Sequence, residues 1–173
     1  MEIDFSTELA DLLTGISGVG VAFAGFSSIL VVLKSREDKE WARMKSSTVK
    51  ALLETSLTAT IFALFPLSLS HLDISINTGL TILLVIFGLW HAFILVLAVC
   101  RNQKTALHTV FGSPVILLAV LIIIMQFVVG FSGDIESKLA IYIAVLFWLL
   151  IMGALNFCIL LYSTMNTENS IKN

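Results

Sequence analysis

Charge is what this sequence has least of. Only 13% of its 173 residues are Asp, Glu, Lys or Arg and 58% are apolar, with a mean hydropathy of +1.00, whereas an ordinary soluble domain carries about 25% charge. One small core does not resolve that imbalance. A soluble domain of this size leaves roughly a third of its unfolded-chain surface in water, and so much apolar side chain would leave large adhesive patches there. The scarcity of charge excludes an ordinary water-soluble domain and makes lipid the solvent. A formal charge of −2, with no basic domain, gives nucleic acid nothing to bind. The two cysteines, Cys100 and Cys158, form no C-x-x-C pair and fall toward the inner ends of their segments, so no disulfide is expected. Walker loop, dinucleotide fingerprint and H-E-x-x-H are all missing, so no cofactor is expected. His71 and Asp73 lie close together in sequence, but a structural zinc site takes four ligands and His108 belongs to the opposite side, so no metal is expected either.

What is present is apolar runs. A helix needs about 20 mainly apolar residues to cross roughly 30 Å of hydrocarbon, and five segments answer to that: 9–33, 48–70, 78–100, 114–131 and 139–162. The fourth is short, and it opens on Pro114, a good first helical residue because its missing N–H has no partner there anyway. We therefore expect an all-α membrane protein of five transmembrane helices in one compact bundle, a single multi-pass domain over 1–173. Met1 to Asp11 hold four acids and no Lys or Arg, unlike the basic start of a cleavable signal, so the first helix is expected to stay.

Orientation follows from Lys and Arg, which accumulate on the cytoplasmic side. With the N-terminus outside, the inner segments hold nine of them and the outer segments only Lys138, so the C-terminus is expected inside, in a bacterial-type inner or plasma membrane. The inner stretch from Ser35 to Thr48 reads as helix, with Ser35 able to cap and Asp38 at the capping-box position. The second helix thus extends into the cytosol, and Arg36, Lys39, Arg43 and Lys45 there set topology or dock an anionic lipid or protein partner.

Polar residues inside the spans are the functional candidates. In the first helix, 100° steps gather Thr14, Ser17, Gly20, Ala24, Ser27 and Ser28 on one face. Gly20-x-x-x-Ala24-x-x-x-Ser28 has the spacing of a helix-packing seam, with Gly88 as a further packing position; copies of this face could also line a narrow aqueous path in a homo-oligomer. On the second helix Ser47, Lys50, Glu54 and Thr58 form a polar stripe in which Lys50 can pair with Glu54. Counted at 1.5 Å per residue from each segment's midpoint, Glu54 and Asn156 lie roughly 8 Å inward of centre, Ser27 and Ser28 about 9 to 10 Å and His91 about 3 Å, one inner polar layer. Gln126 falls in the outer half, where it is expected to bond within the bundle. A carboxylate with an imidazole at membrane depth builds proton relays, which makes Glu54 and His91 the best functional pair.

The strings Gly15-Ile16-Ser17-Gly18 and Gly130-Phe131-Ser132-Gly133 are similar to the serine motif of rhomboid intramembrane proteases, which pair it with a histidine on another helix. Nothing else matches: those enzymes have at least six helices, and Ser17 counts outward of centre while His91 counts inward. The expectation is an oligomeric ion or proton channel or transport protein, not an enzyme. The alternative is a non-transporting scaffold or accessory subunit with a cytosolic or membrane partner, and an intramembrane enzyme ranks third.

Overall fold

The computed structural model describes residues 7–37, 39–69, 74–101 and 114–171, and among these all regular structure is α-helical. There are five helices: α1 (Thr7–Glu37), α2 (Lys39–Leu69), α3 (Ile76–Arg101), α4 (Pro114–Ser132) and α5 (Ile135–Ile171). Their ends lie where orphan backbone groups find substitutes. Ser75 caps α3: the Thr78 N–H donates to its Oγ at 3.4 Å and the Gly79 N–H to its carbonyl at 2.9 Å. Pro114 is the first residue of α4, as its fixed φ favours, and the Gly133 N–H closes that helix on the Val129 carbonyl at 2.8 Å. Asp134 caps α5, its Oδ1 accepting from the Ser137 N–H at 3.2 Å. The Ser137 hydroxyl, then its N–H, hold the Asp134 carboxyl below the usual carboxylate range. In α2, Pro66 lies within the last turn, and the helix stops three residues later, at Leu69.

One boundary differs from the sequence reading. Ser35 does not cap α2; α1 continues through it to Glu37, and α2 begins at Lys39, with only position 38 between them. The local capping signal is overridden because α1 carries neither Gly nor Pro after Gly25 to end it.

Four helices are long and apolar enough to cross a membrane, through Thr7–Ile29, Thr48–Ser68, Ile76–Leu97 and Ile135–Tyr162, while Ile116–Ser132 is a shorter apolar stretch. Large apolar side chains stand exposed on all five helices, among them Phe26, Ile61, Phe93, Leu117 and Ile151. Such surfaces belong in hydrocarbon, where helices satisfy their own backbone. The chain is a multi-pass membrane protein in contact with a lipid bilayer.

By proximity the chain divides into two units, Met1–Leu64 with Leu146–Asn173, and Phe65–Val145. In the first, α1 meets α2 at Gly20. A Cβ built there would lie 2.5 Å from Thr60 Oγ1 and 2.8 Å from the Ser56 carbonyl oxygen, so only glycine permits this approach. Thr60 Oγ1 donates to the Ser56 carbonyl at 2.9 Å and reaches the Ser17 carbonyl at 3.4 Å. Gly153 of α5 faces Phe23, Ser56 and Thr55 at 3.6–3.7 Å from its ideal Cβ position, ordinary contact distances. Leu52 and Leu160 are fully buried, with Phe23, Val49 and Phe157 packed on them.

In the second unit, α3 buries Gly79, Leu80, Leu83, Leu84, Phe87 and Gly88, one face at helical spacing. A Cβ on Gly88 would come within 3.1 Å of the Phe127 ring, and one on Gly130 within 3.5 Å of Leu84. As the α3 number falls from 88 to 84 the α4 number rises from 127 to 130, so the two helices are antiparallel. That register decides which polar residues meet.

Candidate functional site

His91 lies one turn beyond Phe87 on α3, and its ring stacks on that of Phe87, centroids 4.6 Å apart and 24° between planes. The α3–α4 register brings Gln126 opposite, with His91 Nδ1 3.2 Å from Gln126 Oε1. Gln126 is fully buried. His91 Nε2 and Gln126 Nε2 are buried as well, and neither has a hydrogen-bond partner. With Nδ1–H donating to the amide oxygen, both amide N–H groups are unpaired donors and imidazole Nε2 the unpaired acceptor. If the amide is turned round, one of its N–H groups donates to Nδ1, and its second N–H, Nε2–H and the amide oxygen are left over. Either way the neutral pair leaves over one acceptor and two N–H donors, groups that water or another hydroxylic partner can meet.

Phe87 also contacts the fully buried Tyr142 of α5, centroids 5.7 Å apart. One turn before Tyr142 comes Lys138, only 4% exposed. Its Nζ donates to Asn77 Oδ1 at 2.6 Å and Thr81 Oγ1 at 2.8 Å, so two neutral oxygens of α3 hold a buried ammonium. Counting lysines for orientation treats Lys138 as a marker of the aqueous side and misses this. The signals available were the four-residue spacings Asn77 to Thr81 and Lys138 to Tyr142, each placing two polar groups on one helix face. Gln126 was flagged by being the only polar side chain between Pro114 and Phe131.

No protein-family model, curated protein or solved structure matches this chain.

The remaining candidates are distributed as follows. Glu54 Oε1 lies 3.6 Å from Lys50 Nζ, with 40% and 50% of the two side chains exposed; a pair so open is worth little in energy. The structure thus gives Glu54 to Lys50 and His91 to Gln126. Ser27 is buried, its hydroxyl donating to the Phe23 carbonyl, while the exposed Ser28 donates to the Ala24 carbonyl at 2.8 Å. Asn156 Nδ2 donates to the Met152 carbonyl at 2.9 Å, so these three polar groups are satisfied within their own helices. Thr58 is buried, Ala24 half-buried, and Gly20 and Gly88 sit at the packing contacts above. Ser17 is buried, and the exposed Ser132 hydroxyl donates to the Val128 carbonyl at 2.6 Å. The helical backbone runs through Arg36, Lys39, Arg43 and Lys45, whose side chains lie outside the described residues, as do His71, Asp73 and His108. Among the described residues no three His, Cys, Asp or Glu side chains form a group able to hold a metal.

Proposed function

We propose that the chain is a transport protein carrying protons, or a small ion with them, across the bilayer, with His91 as the group that takes up and releases the proton. One observation supports this: a titratable ring within a membrane span, bonded to a fully buried amide, with donor and acceptor positions left over for a mobile partner. Imidazole titrates near neutrality and is a common relay group in membranes. The excess of Lys and Arg on one side supports an outer N-terminus, an inner C-terminus and a crossing by α4 as well; an inner or plasma membrane and a homo-oligomer complete the proposal.

Proteoliposomes containing the full chain and an internal pH dye test it under an imposed proton gradient. The native chain is expected to dissipate the gradient. His91→Asn keeps a hydrogen-bonding side chain toward Gln126 but does not titrate, and should slow flux roughly tenfold or more, with Glu54→Gln unchanged. Flux no greater than in empty liposomes refutes transport. A loss in Glu54→Gln with none in His91→Asn moves the path to the Glu54 layer.

A further inference from the structure

We infer that Gln126 is a positioning residue for the proposed proton step: its amide oxygen holds Nδ1–H of His91, so that Nε2 alone takes up and releases the proton. The inference deepens the proposed function and rests on its reading of His91 as the titrating group. The contact comes from the neighbouring helix, not from the ring's own. Gly88 has no side chain, so the Phe127 ring of α4 lies within 3.1 Å of a Cβ built there. The adjacent Gln126, fully buried, is thereby seated with Oε1 3.2 Å from His91 Nδ1, while Phe87 stacks on the imidazole face.

Bonding in the neutral pair does not choose between the two amide orientations, because each leaves one acceptor and two donors unmet. The proton chooses. In the imidazolium both ring nitrogens carry hydrogen, and of the two amide groups only the oxygen can face Nδ1–H. An amide that presented N–H to the neutral ring would have to turn over inside packed protein each time a proton arrived. With Oε1 facing Nδ1 throughout, as the structure has it, no heavy atom need move: the arriving proton bonds to the lone pair of Nε2 and leaves by breaking that same bond. The hydrogen bond at one ring nitrogen thus sets which nitrogen reacts. Entry and exit by one atom make His91 a carrier of the proton, not a link that passes it from one ring nitrogen to the other.

Among the described residues of this unit, no carboxylate is placed to replace the amide oxygen at Nδ1. α4 has no titratable side chain, and Phe65 to Leu69, the part of α2 in this unit, has none either. On α3 the other titratable groups are Cys100 and Arg101 at its far end, roughly 14 Å or more from His91 at the standard rise. Lys138 is held by Asn77 and Thr81, so it lies roughly 15 Å or more from His91 along α3. Because Lys138 meets Asn77 and Thr81 while Tyr142 meets Phe87, α5 runs alongside α3 in the same direction. Asp134 and Glu136, which precede Lys138, are therefore further still from His91. Tyr142, the remaining titratable group, has its ring against Phe87.

The test reads the ring nitrogens directly. Full-length chain labelled with ¹⁵N-histidine is reconstituted in nanodiscs, above the pH at which His91 is charged. Long-range ¹H–¹⁵N correlations then report which nitrogen carries hydrogen, with His91 assigned by comparison with His91→Asn. The native ring should be the Nδ1–H tautomer in roughly tenfold excess. Gln126→Leu removes the acceptor and should abolish that excess, while slowing proton flux in proteoliposomes roughly tenfold. A native ring with its hydrogen on Nε2 overturns the inference, whether or not the variant folds, and leaves proton transport standing. A Gln126→Leu chain that loses flux but keeps the Nδ1–H excess has lost only packing, and overturns the inference as well. The expected tautomer in the native chain, lost in Gln126→Leu, upholds the positioning; if that native chain moves no protons, transport is overturned instead.

Discussion

Replacing Gly20 by alanine tests how α1 is seated. The added methyl would lie 2.5 Å from Thr60 Oγ1 and 2.8 Å from the Ser56 carbonyl oxygen. The hydroxyl can rotate only by giving up its bonds to the Ser56 and Ser17 carbonyls, and the second obstacle is backbone, which moves only with the whole of α2. Overpacking of this kind costs about 1–3 kcal/mol. The usual gain of roughly 0.5–1 kcal/mol for alanine over glycine in a helix largely cancels when unfolding leaves the helices intact, as in SDS. Gly153→Ala is the matched control, because its methyl meets Phe23, Ser56 and Thr55 at 3.6–3.7 Å, a normal contact distance. In SDS, where the propensity gain cancels, it should be close to neutral. Gly18→Ala, with nothing within 4 Å, should do nothing measurable. The assay is SDS titration of the full chain in micelles followed by tryptophan fluorescence. If Gly20→Ala unfolds at the native midpoint, or Gly153→Ala loses as much as Gly20→Ala, the inferred α1–α2 seam is wrong.

The buried ammonium of Lys138 gives a second test. Asn77→Leu removes an acceptor from it and should cost about 1.5–3 kcal/mol, whereas in a Lys138→Met background the same change should cost little, because the charge that needed the oxygen is gone; equal costs in both backgrounds would show that the pair is not coupled. The cap of α5 gives the third. Because hydrogen bonds from Ser137 lower the Asp134 carboxyl's pKa in the folded chain, its contribution is present above the ordinary carboxylate range, near pH 4, and is lost as pH falls through the lower folded value. Amide exchange at Ser137 and Lys138 should be faster in Asp134→Ala than in the native chain at neutral pH, and the two should converge on acidification.

The helices were legible because an apolar run long enough to cross hydrocarbon has few other structures open to it; the segments read as 78–100 and 114–131 emerge as α3, Ile76–Arg101, and α4, Pro114–Ser132. The pairing of polar residues on different helices was not legible. Counting depth from segment midpoints assumes that all segments are centred alike, which separated Gln126 from His91. Their actual register is set by Gly88 receiving Phe127 and Gly130 meeting Leu84, a matter of shape that a one-dimensional count does not carry. Gly20 was singled out by its spacing to Ala24 and Ser28, yet spacing does not say which neighbour fills the gap, and Ser28, on the same repeat, stands exposed.

Only position 38 separates the end of α1 from the start of α2. Before the apolar window that begins at Thr48, α2 already runs as helix from Lys39, roughly 13 Å at the standard rise. Backbone that continues as helix past an apolar window keeps its own hydrogen bonds, and so leaves hydrocarbon for water with no change of structure.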